Sequence, residues 1–375
     1  MTRILVSAEG QSDNVGDSVL RRGLLDSLRP HGRLVVRLAD TTDDYVTGLR
    51  LRPQDTVVTS RAQWQQEVLA AARQGDVLAH NAGEALLTRS WALGYARMAP
   101  LLALARLRGG HAVHLGFGLR APHPVWGTVV RASLAPCDLV TWRDDDSRRW
   151  VGTGTTAPDW GWAAGPTGPG GTAPGTSVAD LPSQGRDVLA LSMRGDRGTP
   201  SDAWFDTVRA VAADRGLSVV VAPQVGRDRT RAAELAARLD GELVDGDDWA
   251  HDVVEARVRA VYRRAALVVS DRLHAVVVGH TEGAVPVGLG HAVAKIRRTM
   301  ATVGLAASAV PADDATVAVP AVHALLDDRD AVLAAADTAR DRLTALADRV
   351  GRLVHGAPRA ADTAVVPSAA PVDGS

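Results

Sequence analysis

The chain has 375 residues, 46% of them hydrophobic and 23% charged, with a formal net charge of −1 and a pI near 6.8. This length favours two domains over one. The near-neutral charge excludes a global field that would attract nucleic acid, so no nucleic-acid partner is predicted. Lys295 is the single lysine among 42 basic residues. This bias indicates a GC-rich genome, such as an actinobacterial one.

Cysteine and histidine usage argues against a metal or disulfide protein. Cys137 is the single cysteine, which excludes an intrachain disulfide and a cysteine-rich zinc site. The histidines show no metal-ligand spacing, so no metal site is predicted. No apolar run reaches the roughly 20 residues that span a bilayer. Because residues 1–6 lead directly into a strand-like segment and not a signal peptide, a cytoplasmic protein is predicted.

The first half of the chain alternates short β-branched runs with amphipathic stretches, a pattern typical of parallel βαβ units. Strands are predicted at Arg3–Ala8, Leu34–Leu38, Thr56–Thr59, Val77–His80, Ala112–Phe117 and Asp138–Trp142. Helices are predicted at Val15–Leu28, Trp64–Arg73, Leu87–Arg108 and Asp145–Val151. The segment Ala163–Gly185 then breaks the alternation, because it is rich in Gly, Pro, Thr and Ser and has no apolar periodicity.

The alternation restarts in the second half. Strands are predicted at Val188–Met193, Ser218–Ala222, Glu242–Val244, Leu267–Ser270 and Val285–Leu289. Helices are predicted at Ala203–Arg215, Thr230–Leu239, Val253–Ala265 and His274–Glu282, followed by a long helical pattern over Val322–Val354. Beyond Gly356 the Pro/Ala-rich composition is typical of disorder.

These patterns predict an α/β protein with two Rossmann-like, doubly wound domains facing a cleft. The predicted divisions are an N-terminal domain at 1–162, a linker at 163–185, a C-terminal domain at 186–320, a C-terminal helix at 321–355 and a disordered tail at 356–375. In open parallel sheets, ligands bind at the carboxyl ends of the strands. The loops that follow the strands are therefore where candidate site residues should lie.

The polar segment Ser12–Ser18 directly follows the first predicted strand. Asn14 can cap the next helix and Asp17 can bond back to it, as in a capping box. The same helix start offers free amides to a phosphate or sugar hydroxyl, and Gly16 permits close approach of a ligand. The sequence leaves open whether Ser12–Ser18 only caps the helix or also contacts a ligand.

A second polar turn, His80–Glu84, ends the predicted strand Val77–His80. It can be a simple surface turn. Alternatively, Asn81 lies on the cleft edge as a substrate contact and Glu84 accepts a hydroxyl proton.

The sharpest feature is the segment Ser270–His274, where a predicted strand ends and an apolar helix begins. Arg272 and His274 lie at a positive helix N-terminus whose amides lack helical partners, and these groups together can trap an anion. Arg194 ends the neighbouring predicted strand and can bind phosphate or carboxylate in a bidentate way. Lys295 follows the next strand and is either another phosphate contact or a solvent-facing side chain.

Several nucleotide and hydrolase motifs are missing from the sequence. It contains no G-x-S-x-G elbow and no Walker A loop, and no G-x-G-x-x-G follows the first strand. A dinucleotide cofactor is therefore not predicted.

In order and spacing, the motifs resemble those of the polysaccharide pyruvyl transferase family over roughly Arg3 to Leu305. The matching segments are N-x-G-D at Asn14–Asp17, G-x-G at Gly116–Gly118, R-D-x-x-S at Arg143–Ser147, S-x-R at Ser192–Arg194 and, most specific, S-x-R-L-H at Ser270–His274. The sequence departs from the family at Ala82, which replaces the first glycine of a pair, and at Gly288 in the strand after the S-x-R-L-H motif.

The resemblance implies a GT-B-like fold and transfer of pyruvate from phosphoenolpyruvate to two hydroxyls of a sugar. The product is a cyclic ketal in a cell-surface glycan or its lipid-linked precursor. Donor binding is assigned to Arg194, Arg272, His274 and the backbone of Leu273, with Ser270 in the same motif. No metal or organic cofactor is implied.

The resemblance also suggests roles in the chemistry. His274 is a candidate general acid or a phosphate donor, and Asp17 and Glu84 are candidate bases across the cleft. The acceptor sugar is expected near Asn14–Asp17.

Two alternatives have the same architecture. One is a GT-B glycosyltransferase that uses a nucleotide sugar, and the other is an inactive binding subunit of a glycan pathway, suggested by Ala82 and Gly288. A lipid-linked acceptor would bring the protein to the membrane as a peripheral partner, although the sequence shows no basic amphipathic helix.

Overall fold

The computed structural model of the protein describes residues 2–166, 176–290 and 293–356. Its core consists of two parallel β-sheets with helices on both faces. Strands buried on both faces are expected to be continuously apolar, and the central strands Arg3–Ser7 and Val188–Ser192 have this pattern. One apolar core joins the two sheets, with Ile4 in the first sheet and Leu191 in the second among its members.

The N-terminal sheet has eight strands, in the order β3-β2-β1-β4-β6-β7-β8, with β5 paired to β6. The strands are β1 Arg3–Ser7, β2 Arg33–Arg37, β3 Thr56–Val58, β4 Val77–His80, β5 Gly83–Ala85, β6 His111–Leu119, β7 Leu139–Trp142 and β8 Thr155–Thr156. The helices are α1 Val15–Leu28, α2 Asp43–Leu49, α3 Arg61–Gln74, α4 Arg89–Leu107, α5 Pro124–Ser133 and α6 Asp145–Val151.

The C-terminal sheet has six strands in the order β11-β10-β9-β12-β13-β14, the same winding as the first sheet. The strands are β9 Val188–Ser192, β10 Ser218–Val221, β11 Glu242–Leu243, β12 Ala265–Ser270, β13 Val285–Leu289 and β14 Ala309–Val310. The helices are α7 Asp202–Arg215, α8 Arg229–Arg238, α9 His251–Arg264, α10 Leu273–Thr281, α11 Ala294–Ala301, α12 Ala315–Asp327 and α13 Arg329–His355.

The strand order reverses direction beside the first strand of each sheet. In the N-terminal sheet the chain runs outward from β1 to β3 and then returns to β4 on the other side of β1; in the C-terminal sheet β12 returns beside β9 in the same way. Such a topological switch point opens a crevice at the carboxyl ends of the strands. Each domain therefore presents a crevice, and the loops after β1, β4, β9 and β12 border them.

Buried charges tie the two domains together. Arg22 on α1 donates two hydrogen bonds of 2.6 Å to the carboxylate of Glu255 on α9. Arg259 lies between Glu255, at 2.8 Å, and Glu282, at 2.5 Å. All four side chains are almost fully buried. Both sheets are thus held by an ionic cluster beneath the cleft.

Several helices and strands match the sequence predictions closely. The helices Val15–Leu28 and Asp145–Val151 and the strands Val77–His80 and Val285–Leu289 are confirmed residue for residue. Several short elements were not predicted: α2, α5, α11, β5, β8 and β14.

The C-terminal prediction is wrong in one respect. A single helix was expected over 321–355, but the chain forms α12 and α13, which are separated at Asp328. Asp314 caps α12 by accepting from the amide of Thr316, so the helical region also begins earlier than predicted. The predicted tail lies outside the described residues except for Gly356, which ends α13 in a left-handed conformation.

The predicted linker, 163–185, lies in part outside the described residues. Before the gap, the short 3-10 helix Trp160–Ala164 runs into the predicted linker, and Gly165 and Pro166 are buried. After the gap, the amides of Val178 and Ala179 donate to the carboxylate of Asp337 on α13. Both described ends of this segment are therefore packed against the folded domains.

Candidate functional site

A cavity of about 620 Å³ lies between the two domains. Most of its lining residues lie in loops that follow strands, in the short strand β5 or in the first turns of α10 and α11. In the N-terminal domain these are Gln11, Asn14, Gly83, Glu84, Arg120 and Arg143, and in the C-terminal domain they are Arg194, Arg197, Gln224, Asp271, Arg272, Leu273, Ala294 and Lys295. The cavity therefore lies at the carboxyl ends of both sheets, where the fold predicts a ligand site.

The cavity lining has an excess of positive charge. Eight arginine or lysine side chains line it against four carboxylates. The cations are Arg21, Arg120, Arg143, Arg194, Arg197, Arg272, Lys295 and Arg298. A partly enclosed space with this balance concentrates anions, because low-dielectric walls focus the field of the lining charges.

Helix α10 directs its N-terminus at the cavity. It begins at Leu273, and its first two amides, those of Leu273 and His274, donate no hydrogen bond within the described part of the chain. The amide of Arg272 is held by the Ser270 hydroxyl at 2.9 Å, which shapes the turn before the helix. Free amides at a helix N-terminus form an anion site.

The imidazole of His274 lies between two carboxylates from the other domain. Its Nδ1 is 3.9 Å from Asp17, and its Nε2 is 3.8 Å from Asp159. Nε2 is buried and has no hydrogen-bond partner among the described residues. These distances exceed those of hydrogen bonds, so neither ring nitrogen is hydrogen-bonded to these carboxylates.

Both of these carboxylates are held ionised. Burial alone would raise the pKa of Asp159, but His274, Arg143 and the Gly161 amide together lower it well below its usual range. Burial alone would also raise the pKa of Asp17. The charges of Arg21 and His274 outweigh this effect of burial, so the pKa of Asp17 is lowered. The two groups therefore supply fixed negative charge around His274.

Helix α1 approaches His274 closely because residue 16 is glycine. A Cβ at Gly16 would overlap the Cβ and ring of His274. Gly16 does not line the cavity itself. Its role is to let α1 approach the imidazole of His274, which differs from the predicted ligand contact.

Replacing Gly16 with alanine is expected to destabilise the protein by about 1–3 kcal/mol through overpacking and to displace His274. Gly94, in the middle of α4, has no atom within 4 Å of its Cβ position. Gly94→Ala is therefore the matched control and is expected to stabilise the helix by about 0.5–1 kcal/mol. Urea unfolding of both variants measures the difference; equal stability changes would contradict the close approach of α1 to His274.

The two arginines predicted to bind the donor both lie at the cavity, but each has an acidic partner. Arg272 makes a buried bidentate pair with Asp228, at 2.6 and 2.8 Å. Arg194 pairs with the exposed Asp196 at 2.8 and 2.6 Å. Asp228 fixes the orientation of Arg272, whereas Asp196 is exposed and can release Arg194 to a ligand at little cost.

Glu84 lies at the centre of a cationic cluster. Its carboxylate contacts Arg143 at 2.7 Å, Lys295 at 2.8 Å and Arg120 at 3.0 Å. Burial would raise its pKa, but Arg143 and Lys295 lower it to about 2. A carboxylate with such a pKa is a weak base near neutral pH, so this geometry favours a role for Glu84 as a counter-ion.

The capping prediction is confirmed for one residue and wrong for the other. Asn14 caps α1 by accepting from the amide of Gly16 at 3.2 Å. Asp17 accepts from the amide of Gln11 at 2.8 Å and not from Asn14, whose own amide donates to the carbonyl of Gln11. The Asp17 carboxylate thus bonds to an amide three residues before the Asn14 cap, and Asp17 also lines the cavity.

Two predicted substrate contacts lie behind the cavity wall. Ser270 is buried, and its hydroxyl donates to the carbonyl of Ser192. Asn81 donates to the carbonyl of Glu9 at 3.0 Å. Neither lines the cavity, so both support the loops and do not contact a ligand directly.

Sequence reasoning assigned no role to several residues of this region. Asp228 binds Arg272, and Asp159 lies 3.8 Å from His274, both from distant parts of the chain. Arg120 and Arg298 line the cavity. Arg143 was noted within the R-D-x-x-S motif, but its pairing with Glu84 and Asp159 depends on contacts that span 59 and 16 residues.

No helix in the described residues is long and apolar enough to cross a membrane. Neither a family model nor a curated protein matches the sequence.

Solved structures do match the fold. Anabaena Alr3699/HepE in complex with UDP has a TM-score of 0.56 at 11% identity, and the match covers 95% of this chain and 100% of that one. The S. aureus MnaA–UDP structure has a TM-score of 0.53 at 13% identity, covering 95% and 97%. A glycosyltransferase from Rickettsia africae has a TM-score of 0.53 at 12% identity, covering 95% and 99%.

At this identity the matches establish the architecture alone. Together with the two parallel sheets and the cleft between them, they show that the chain has a GT-B-like fold built from two Rossmann-like domains.

Proposed function

We propose that the protein is a transferase that binds a phosphate-bearing donor at the N-terminus of α10 and moves pyruvate from phosphoenolpyruvate onto a glycan or its precursor. The observation that carries this proposal is His274, held between two ionised carboxylates and beside the free amides of α10. A donor with a phosphate and a carboxylate suits the excess of cations in the cavity.

The proposed chemistry starts with protonation of the methylene carbon of phosphoenolpyruvate by His274. A sugar hydroxyl then attacks C2 and gives its proton to the now neutral imidazole. Departure of inorganic phosphate with the electron pair of its C–O bond leaves C2 electrophilic. A second hydroxyl attacks C2, and its proton leaves with the phosphate. The products are a cyclic pyruvate ketal and inorganic phosphate.

The side chains have separate roles in this proposal. Arg272, Arg194 and the amides of Leu273 and His274 bind the donor anion, and they stabilise negative charge on the departing phosphate. Lys295 lies in the same cavity lining, paired with Glu84 at 2.8 Å. Asp17 stabilises the imidazolium and orients an acceptor hydroxyl near the start of α1. Since the pKa values of Asp17 and Glu84 are both lowered, proton transfer is assigned to His274 alone.

A second candidate is a glycosyltransferase or related enzyme that takes a nucleotide sugar. The fold comparisons favour this candidate, because matched structures carry UDP in their names. It would use the same anion site at α10 for a diphosphate. It makes no use of an imidazole placed between two carboxylates, and this is the reason that phosphoenolpyruvate is placed first.

The departures from the motif pattern do not argue for an inactive subunit. Ala82 is fully buried, and neither Ala82 nor Gly288 lines the cavity. A Cβ at Gly288 would press on the side chain of Ile296 in α11, so glycine at this position lets α11 pack closely on β13. Both residues therefore contribute to packing behind the cavity and do not contact a ligand in it.

The test is release of inorganic phosphate from phosphoenolpyruvate with a panel of glycan precursors. Release that depends on the acceptor is expected for the wild-type protein. Arg194→Ala and Arg272→Lys are each expected to slow it by about a hundredfold, because each removes oriented charge from the donor site. Arg272→Lys keeps a cation beside the buried Asp228 and so protects the fold.

The matched control is Arg73→Ala, an exposed position at the end of α3 that should leave the rate unchanged. Full activity in both cavity variants would contradict the donor site. Turnover of a nucleotide sugar, with none of phosphoenolpyruvate, would replace the first candidate with the second.

A further inference from the structure

A second, smaller cavity of about 210 Å³ also lies between the two domains. Its N-terminal wall includes Ser12 and Asp13, in the loop after β1, and Asp44 in the first turn of α2. Its C-terminal wall includes Gln224, which follows β10, and Trp249, which precedes α9. The reaction proposed at His274 makes no use of this cavity.

The two cavities are neighbours. In the loop after β1, Gln11 and Asn14 line the larger cavity, whereas Ser12 and Asp13 line the smaller one. Gln224 lines both. The smaller cavity is thus placed to hold the continuation of a molecule that is bound in the larger one.

Gln224 carries a buried oxygen that lacks a partner. The side chain is 2% exposed, and its Nε2 donates to the hydroxyl of Tyr262 at 3.0 Å. Its Oε1 accepts no hydrogen bond within the described part of the chain. Since buried polar atoms in folded proteins are normally paired, this oxygen is available to a hydrogen-bond donor on a ligand.

Trp249 supplies an aromatic wall that is held in place. Its indole is half-buried and packs against an apolar core cluster. The guanidinium groups of Arg229 and Arg257 lie 5.7 and 5.8 Å from the ring centroid. Because the face of an aromatic ring carries partial negative charge, it attracts the C–H groups on one face of a sugar ring.

The charge of the smaller cavity is opposite to that of the larger one. Two carboxylates line it, those of Asp13 and Asp44, and Arg227 is the one arginine or lysine among its described lining residues. Arg227 is already paired with Asp13. Burial lowers the pKa of His251, so this imidazole adds no positive charge near neutral pH. The lining therefore disfavours a phosphate.

The same lining favours a small ligand that is rich in hydrogen-bond donors. Each sugar hydroxyl can donate to a carboxylate or amide oxygen. Uracil, in contrast, has one N–H group between two carbonyl oxygens, and the carboxylates would repel those oxygens. The volume is below the roughly 300–1,000 Å³ of most ligand pockets, which suits a single ring.

We propose that the smaller cavity binds a second, neutral sugar unit of the acceptor, so that the protein acts on an oligosaccharide and not on a single sugar. The reacting unit lies in the larger cavity near His274. The next unit packs on the indole of Trp249 and donates hydroxyl hydrogens to Gln224 Oε1 and to the two carboxylates. This inference rests on the proposed transfer to a glycan, but not on which donor supplies the transferred group.

Saturation-transfer NMR tests the proposal with a panel of neutral monosaccharides and disaccharides of glucose, galactose, mannose and N-acetylglucosamine. At least one disaccharide is expected to bind about tenfold more tightly than the monosaccharides that compose it. Trp249→Ala is expected to remove this advantage and to leave monosaccharide binding unchanged.

Gly226→Ala tests the same point without removing a side chain. Gly226 lines the smaller cavity, and a Cβ there would lie 3.5 Å from the indole of Trp249, an ordinary contact. The added methyl group narrows the cavity without a clash, so the melting temperature should be kept while the disaccharide advantage is lost. Gly94→Ala and Trp126→Ala, at positions that line neither cavity, are the matched controls and should bind as the wild-type protein does.

Three results would overturn the proposal. The first is a panel in which no disaccharide binds more tightly than its component monosaccharides, and the second is an advantage that both Trp249→Ala and Gly226→Ala retain. The third is binding of uridine or guanosine that these variants abolish, since the cavity would then be a nucleoside site. The assay contains no donor, so a failure to turn over phosphoenolpyruvate would contradict the proposed function and leave this result unchanged.

Discussion

His274→Gln is expected to reduce acceptor-dependent phosphate release by about a thousandfold, because general acid–base catalysis by one positioned group is worth about 10²–10⁴ in rate. Glutamine preserves the approximate size of the ring and a hydrogen-bond donor but cannot carry a proton to carbon. Binding of phosphoenolpyruvate should persist, since the free amides of α10 and the side chains of Arg194 and Arg272 are unchanged. The expected pattern is thus a loss of kcat with little change in donor affinity.

The control for this variant is His323→Gln on α12, whose half-buried imidazole contacts Asp214 and Arg215 and does not line the cavity. It should retain full activity. If His274→Gln keeps normal turnover, the imidazole is not the proton donor. If the variant loses donor binding and turnover together, His274 serves the phosphate and not the proton transfer.

Glu255→Ala is expected to lower the free energy of unfolding by about 3–5 kcal/mol, because it leaves buried cations without their counter-ion. Glu255 accepts two hydrogen bonds of 2.6 Å from Arg22 and one of 2.8 Å from Arg259. Since Arg22 belongs to the N-terminal domain and Arg259 to the C-terminal domain, the variant should loosen the contact between them. Urea unfolding measures the loss.

The matched control is Asp206→Ala, which removes an exposed partner of the exposed Arg209 at 3.4 Å and is expected to cost less than about 1 kcal/mol. A loss of similar size at both positions would contradict the importance of the buried cluster.

The same cluster predicts a pH dependence. Burial alone would raise the pKa of Glu255, but Arg259 and Arg22 lower it to about 2 from its ordinary 4.5. A lowered carboxyl pKa contributes stability that is complete above the ordinary value and is lost as the pH falls toward 2. The stability of the wild-type protein should therefore fall more steeply than that of Glu255→Ala over this range.

Much of the fold could be predicted from local patterns. Continuous apolar runs predicted the central strands. The capping residue Asn14 and the apolar periodicity after it predicted α1 at its observed bounds. Several short elements were not predicted because their sequence signals are weak. Helix α2 has seven residues, and β5 has three. Helix α5 carried a readable signal, since Pro124 occupies its first position and His123 caps it.

The site was predictable where strand ends and helix starts coincide. Arg194, Arg272, Leu273 and His274 all reach the cavity, as the position of each after a strand suggested. What local patterns could not supply is the set of acidic partners. Asp228 binds Arg272 from 44 residues away, and nothing in its own surroundings singles it out. The lowered pKa of Glu84 likewise depends on cations from three separate loops.

Thermal stabilisation of the wild-type protein by phosphoenolpyruvate, compared with UDP- and GDP-sugars, tests the central claim most directly. A ligand that binds the folded state raises the melting temperature in step with ln(1 + [L]/Kd). Phosphoenolpyruvate is expected to stabilise the wild-type protein, and Arg194→Ala should lose most of that stabilisation. Stabilisation by a nucleotide sugar alone would contradict the assignment of phosphoenolpyruvate as the donor.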